Sequence, residues 1–112
     1  MALTVNTLTL LNEYINGVMS RADHHGQNVN EIVLSLAGAV VWKATQDVEV
    51  RMYNGETANI LWLTVNKNRY ALAFNHNTGN IEIRDRTQTG TVLASFNNST
   101  TTNQVKQIFS TL

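Results

Sequence analysis

The chain of 112 residues contains no cysteine and no proline. The absence of cysteine excludes disulfides, thiolate nucleophiles and cysteine-based zinc sites. The absence of proline means that no backbone N–H is lost from any helix or strand. Charged residues are also scarce, at 14% of the chain, against about a quarter in typical globular domains. A polar surface built mainly from Asn, Thr, Ser and Gln gives little electrostatic repulsion, and this leaves more surface free to pair with a partner.

The charges that are present do not form the pattern of a nucleic-acid-binding protein. Eight basic residues balance eight acidic ones, and the densest basic clusters, at 67–69 and 84–86, are interrupted by other side chains. Nucleic-acid binding requires a basic patch or stripe, so we expect no nucleic-acid partner. No apolar run approaches the ~20 residues that span a bilayer, and the first residues lack the basic region of a signal peptide. We therefore expect a cytoplasmic protein with no membrane partner.

Three segments have the periodicity of helices. The first covers residues 8–22 and carries one apolar stripe. The second begins with Asn28 and Glu31 in capping-box spacing and stays apolar around most of its circumference, which predicts a central, buried helix. Residues 40–42 could end this helix or begin a strand, and we favour a helix to about Ala44. The third is a short C-terminal helix that follows a second capping box, formed by Thr101 and Gln104.

Five further segments alternate as β-strands do. They cover residues 47–53, 58–65, 69–75, 81–86 and 91–96, and short turns separate them. One of these turns, at 77–79, ends in Gly79, which suits the left-handed position of a hairpin loop. The order ααβββββα predicts an α+β fold with a five-stranded antiparallel meander sheet packed by helices. We expect residues 1–112 to form a single domain.

The two middle strands are apolar on both faces, so the sheet needs cover on both sides. The predicted helices would cover one face well and the other only in part, which favours a homodimer that covers the remainder. The residues predicted for this interface are Leu61, Leu63, Val65, Ala71 and Ala73.

A ligand site is a second interpretation of the same region. Its aromatic residues are typical of a packed core, but they could also line a pocket between sheet and helices. The candidate ligand-binding residues are Trp42, Trp62, Tyr70 and Phe74, with His76 at the mouth and Glu82 and Arg84 beside it. No nucleophile accompanies His76 at a recognisable spacing, so we predict no catalytic residue. We predict no cofactor and no metal site either, because His24 and His25 lack the further spaced ligands that a metal needs.

Several motifs in the strand region resemble a group of short bacterial proteins. They are Asn59-Ile60-Leu61-Trp62, Asn68-Arg69-Tyr70-Ala71, the run from Phe74 to Arg84, Val92-Leu93 and Phe96-Asn97-Asn98. The chain is similar over residues 30–112 to uncharacterised proteins carried on integron gene cassettes. This resemblance implies a mobile-gene, cytoplasmic bacterial context and a small self-associating α+β fold. It implies no activity and no catalytic residues.

These observations favour a non-enzymatic binding or interaction module that acts as a homodimer. The alternative is a small-molecule-binding protein or minor enzyme with a pocket between sheet and helices. A regulator that acts on another protein, such as an inhibitor or antitoxin-like factor, fits the sequence equally well. The partner would then be a second copy, an unidentified protein or a small molecule.

Overall fold

The computed structural model describes residues 12, 16, 28–46, 48–53, 56–75 and 77–112, with the backbone alone at 51–53 and 56–59. Two helices and five strands are described within these residues. They are α1 (Val33–Lys43), β1 (Glu49–Tyr53), β2 (Glu56–Val65), β3 (Asn68–Asn75), β4 (Asn80–Asp85), β5 (Val92–Phe96) and α2 (Thr102–Ser110). The predicted α+β class is confirmed. The predicted first helix, residues 8–22, lies outside the described residues except for Asn12 and Asn16, which are helical and exposed.

The five strands form one antiparallel sheet in the order β1-β2-β3-β4-β5. This is the predicted meander, and each strand begins and ends within two residues of its expected bounds. Two predicted local signals are also confirmed. Gly79 has φ +75° in the β3–β4 turn, and Thr101 and Gln104 form a reciprocal capping box at the start of α2.

The register decides which residues share a face of the sheet. Leu61 is opposite Leu72, and Leu72 is opposite Ile83, so these three side chains lie on the same face. We call it the covered face, and it also carries Leu63, Val65, Tyr70, Phe74, Ile81 and Phe96. The other face, which we call the second face, carries Ile60, Trp62, Ala71, Ala73, Glu82 and Arg84.

Both described helices pack on the covered face and form the core with it. Helix α1 contributes Val33, Leu36, Ala39 and Val40. Helix α2 contributes Val105 and Phe109. The Phe109 ring centroid lies 6.0 Å from that of Phe96 in β5, which joins the C-terminal helix to the sheet. Each large apolar side chain buried here contributes about 1.5–3 kcal/mol relative to exposure.

The start of α1 differs from its prediction. Residues 28–32 form turns, and α1 begins at Val33 without a side-chain cap from its own segment. The predicted Asn28–Glu31 capping box is therefore wrong. The Asn28 amide instead donates to Asn80 Oδ1 at 3.1 Å, so a long-range contact takes the place of the local one. The end at Lys43 agrees with the predicted boundary near Ala44.

The burial of α1 is also less complete than its composition predicted. Leu34, Val41 and Trp42 are all more than half exposed. A helix that is apolar on every side can bury only the side that faces the sheet when one sheet supports it. The prediction of a fully buried central helix was wrong for this outer side.

Candidate functional site

The predicted interface residues lie on two opposite faces of the sheet. Leu61, Leu63 and Val65 are buried on the covered face, beneath the helices. Ala71 is opposite Trp62, and Ala73 is opposite Ile60, so both alanines lie on the second face. The five residues cannot form one surface, because the register pairs odd-numbered residues of β2 with even-numbered residues of β3.

The predicted ligand-binding aromatic residues are separated in the same way. Tyr70 is buried on the covered face and Phe74 packs against the same core, whereas Trp62 lies on the second face. Trp42 is on the outer side of α1. These four residues therefore do not line one pocket. His76 lies outside the described residues, so its role remains a prediction.

Glu82 and Arg84, in contrast, form a compact polar cluster on the second face. Glu82 Oε1 accepts hydrogen bonds from Arg84 Nη2 at 2.6 Å, Arg84 Nε at 3.2 Å and Asn75 Nδ2 at 3.2 Å. Arg84 Nη1 also donates to the carbonyl oxygen of Gly90 at 2.9 Å. The side chains of Glu82 and Arg84 are only 8% and 22% exposed. The guanidinium is thus held between a buried carboxylate and a turn, and it orients both.

The other oxygen of Glu82 has a different environment. Among the described residues, none donates a hydrogen bond to Oε2. A buried carboxylate oxygen gains free energy when it accepts a hydrogen bond. This oxygen could therefore accept one from an amine, hydroxyl or amide of a bound molecule.

A second polar contact lies across Ala71 from this cluster. Ala71 is flanked by Trp62 on β2 and Arg84 on β4. The Arg69 guanidinium lies 5.5 Å from the Trp62 ring centroid and 3.0 Å from Glu49 Oε1. Both members of the Arg69–Glu49 pair are well exposed, so water screens it and it adds little stability.

The outer side of α1 carries an exposed apolar surface that the sequence interpretation did not predict. Leu34, Val41 and Trp42 are 61%, 64% and 54% exposed. They lie on one side of the helix with Gly38 between them, because positions i, i+4, i+7 and i+8 share a helical face. We call these four residues the α1 stripe. The Lys43 ammonium lies 5.2 Å from the Trp42 ring centroid, at the C-terminal end of the stripe.

The signal for this stripe was present in the sequence. Residues 33, 36 and 40 form one apolar series at helical spacing, and residues 34, 41 and 42 form another on the opposite side. Two apolar series on one helix indicate either complete burial or a second contact surface. The sequence alone does not distinguish these two cases.

Comparison with known protein families supports the resemblance in the strand region. Residues 11–106 match the family described as "Integron cassette protein VCH_CASS1 chain". The chain belongs to this family of integron cassette proteins. The match includes all of β1 to β5 and all of α1, as well as the first part of α2. No curated protein matches the chain.

Family membership assigns no activity to this cassette protein, because the function of the family is unknown. We also searched the described residues for membrane-spanning helices and for groups of metal-binding side chains. None of the described helices is long and apolar enough to span a bilayer. Within the same residues, no three His, Asp or Glu side chains group closely enough to hold a metal ion.

A small depression lies between β5 and α2 of the cassette protein. Its volume is about 190 Å³, and it is lined by Ser95, Thr100, Gln104, Gln107 and Ile108. Ligand pockets commonly measure about 300–1,000 Å³, so this depression is small for a ligand site. The α1 stripe and the Glu82–Arg84 cluster are therefore the two surface features with a stronger physical case for function.

Proposed function

We propose that this cassette protein is a small non-enzymatic interaction module that acts as a homodimer. The observation that carries the proposal is the α1 stripe, in which three large apolar side chains are each more than half exposed on one face of an 11-residue helix. Contiguous exposed apolar residues of this kind are typical of protein–protein contact sites. Their burial against a second protein would remove apolar area from water at about 25 cal/mol per Å².

The polar residues near the stripe do not oppose such a contact. Helix α1 carries no acidic residue in its first turn, and Lys43 is the basic residue of its last turn. The interior of the stripe is thus uncharged, and no charge has to be desolvated at its centre. This composition matches the interior of protein–protein interfaces, where charged residues are depleted.

The oligomeric state in solution tests the proposal. We expect sedimentation velocity at 10–300 μM, roughly the range in which small interfaces associate, to show a species of twice the 12.5 kDa chain mass. Leu34→Lys should shift the chain to monomer, because the substitution places a charge in the stripe at a site already exposed in one protomer. Circular dichroism should show an unchanged fold.

Leu93→Lys is the matched control, since Leu93 is a comparably exposed leucine on β5. It should leave the dimer intact. A chain that stays monomeric over the whole concentration range contradicts the proposal. If only Leu93→Lys dissociates the dimer, the homodimer holds but its contact surface is β5.

The Glu82–Arg84 cluster supports a second candidate function, the binding of a small hydrogen-bond donor. The specific observation is that Glu82 is buried while its Oε2 accepts no hydrogen bond from the described residues. A ligand that binds only the folded state raises the melting temperature. We expect a member of a panel of primary amines, amino sugars and polyols to do so for the wild type and for Glu49→Gln, but not for Glu82→Gln. A panel without any shift contradicts this candidate.

A further inference from the structure

We infer that two copies of the chain associate through antiparallel α1 helices, with the two-fold axis at Gly38. This inference rests on the proposed homodimer and specifies its geometry. It follows from three features of α1, namely the spacing of its exposed apolar residues, the open space at Gly38 and the charges at its two ends.

The spacing of the apolar residues is symmetric about Gly38. Leu34 lies four residues before Gly38 and Trp42 lies four residues after it. In an antiparallel pair with a two-fold axis at Gly38, Leu34 of one protomer faces Trp42 of the partner subunit, and the same contact occurs at the other end. A two-fold interface requires this self-complementarity, in which each contact occurs twice.

Gly38 is the position where the two helices would approach most closely. A Cβ built at Gly38 meets no atom of the described residues within 4 Å, so their packing within one protomer gives no reason for glycine there. Glycine also lowers helix stability relative to alanine. A second helix at this point supplies the reason, because the missing side chain allows an interaxial distance near the lower end of the usual ~8–10 Å.

The charges at the ends of α1 favour the antiparallel orientation. Glu31 is exposed just before the helix, and Lys43 lies in its last turn. Glu31 lies seven residues before Gly38 and Lys43 lies five residues after it. The Lys43 ammonium reaches the Trp42 end of the α1 stripe, where it lies 5.2 Å from the ring centroid. Antiparallel packing places Glu31 near Lys43 of the partner subunit at both ends, whereas parallel packing would place like charges together. Within the described part of one protomer, neither residue forms an ion pair.

The available area sets the expected affinity. The exposed parts of the α1 stripe and of the side chains beside it would bury roughly 800–1,000 Å² over both protomers. This is below the ~1,200 Å² of stable specific interfaces. We therefore expect a dissociation constant on the order of tens of micromolar, as in weak or transient complexes.

Disulfide cross-linking tests the position of the axis. The chain has no cysteine, so Gly38→Cys introduces a single thiol at the proposed axis. Its side chain weakens the reversible contact, as that of Gly38→Ala does, but each encounter of the two α1 helices still brings the two thiols together. Two-fold packing at Gly38 brings the two Cα atoms close to the ~4.4–6.8 Å that a disulfide needs. Under mild oxidation at 100 μM protein, about the range expected for a weak interface, we expect covalent dimer to form at least tenfold faster than in Ser110→Cys. Ser110 is the control because it is exposed on α2.

Charge reversal tests the orientation independently. Glu31→Lys and Lys43→Glu should each raise the dissociation constant by about 3–10-fold, because each breaks two symmetric ion pairs of modest strength. The double variant should return to within about twofold of the wild type, as expected when each charge faces the other across the interface. Parallel packing would give no such recovery.

The outcomes separate this inference from the homodimer proposal. A wild-type dimer with slow cross-linking of Gly38→Cys and no recovery in the double variant overturns the α1 geometry and leaves the homodimer standing. A concentration of 300 μM is well above the dissociation constant expected for such an interface. A wild-type chain that is still monomeric at this concentration overturns both.

Discussion

Asn98 holds the turn that leads into α1, since its Oδ1 accepts the backbone N–H of Glu31 at 2.9 Å from 67 residues away. The same oxygen accepts the N–H of Ile32 at 3.2 Å, and the Asn98 amide donates to Asn30 Oδ1 at 2.8 Å. Both N–H groups belong to the turn that precedes Val33, where no helix or strand ladder pairs them. Asn98 satisfies both of them and so joins the β5–α2 turn to the residues before α1.

The first prediction concerns these long-range hydrogen bonds. Asn98→Ala should lower the free energy of unfolding by about 1–2 kcal/mol, as leaving backbone N–H groups without a partner typically does. Asn98→Asp is the matched variant, because it keeps an oxygen acceptor for both N–H groups and loses the amide that donates to Asn30. We expect it to retain more than half of the lost stability in urea denaturation. Equal losses of stability in the two variants would show that the hydrogen bonds accepted by residue 98 are not the source of the effect.

The second prediction concerns the buried ion pair on the second face. Arg84→Ala removes two hydrogen bonds from the Glu82 carboxylate, which is 8% exposed. Because a buried charge without its partner is strongly unfavourable, we expect a loss of about 2–4 kcal/mol in urea denaturation. Replacing both residues with apolar ones, as in Glu82→Leu with Arg84→Met, should cost less than Arg84→Ala alone.

Arg69→Ala is the control for this pair. Arg69 and Glu49 also form a close ion pair, at 3.0 Å, but both side chains are far more exposed than those of Arg84 and Glu82. We expect its loss to stay below about 1 kcal/mol. If Arg69→Ala and Arg84→Ala cost the same, burial is not what gives the Glu82–Arg84 pair its strength.

The sequence predicted most of the elements correctly because their signals are local. Alternation identified the five strands, and the capping box of Thr101 and Gln104 identified the start of α2. The hydrogen bonds from Glu31 and Ile32 to Asn98 could not be predicted in the same way. Its partners lie far away in the sequence, and only the fold brings them together.

The length of the β2–β3 loop determines which side chains of β2 and β3 share a face of the sheet, and a difference of one residue is enough to change it. The strand bounds expected from the sequence leave residues 66–68 as the β2–β3 turn, which would place Leu61 on the face of Ala71 and Ala73. In the structure Val65 pairs with Asn68, so the loop has two residues and Asn66 adopts φ +59°. A shift of one residue in register exchanges the two faces of a strand. The predicted interface and pocket residues were therefore grouped across opposite faces of the sheet.

The third prediction compares two glycines with opposite expected effects. A Cβ at Gly90 would clash with the carbonyl oxygen of Asp85, and backbone atoms cannot move aside as a flexible side chain can. Gly90→Ala should therefore cost about 1–3 kcal/mol, as overpacking does. Its carbonyl also accepts a hydrogen bond from Arg84, so the variant should disturb the Glu82–Arg84 cluster as well.

Gly38→Ala is the matched substitution, because in the part of the chain that the structure describes its Cβ meets nothing within 4 Å, and the residue lies inside α1. Replacing a helical glycine with alanine typically adds about 0.5–1 kcal/mol. We expect urea denaturation at low protein concentration, where the monomer predominates, to show this gain. Sedimentation at high concentration should show weaker association of the same variant, because the added methyl group separates the two α1 helices. A variant that gains monomer stability without losing association would place Gly38 outside the contact.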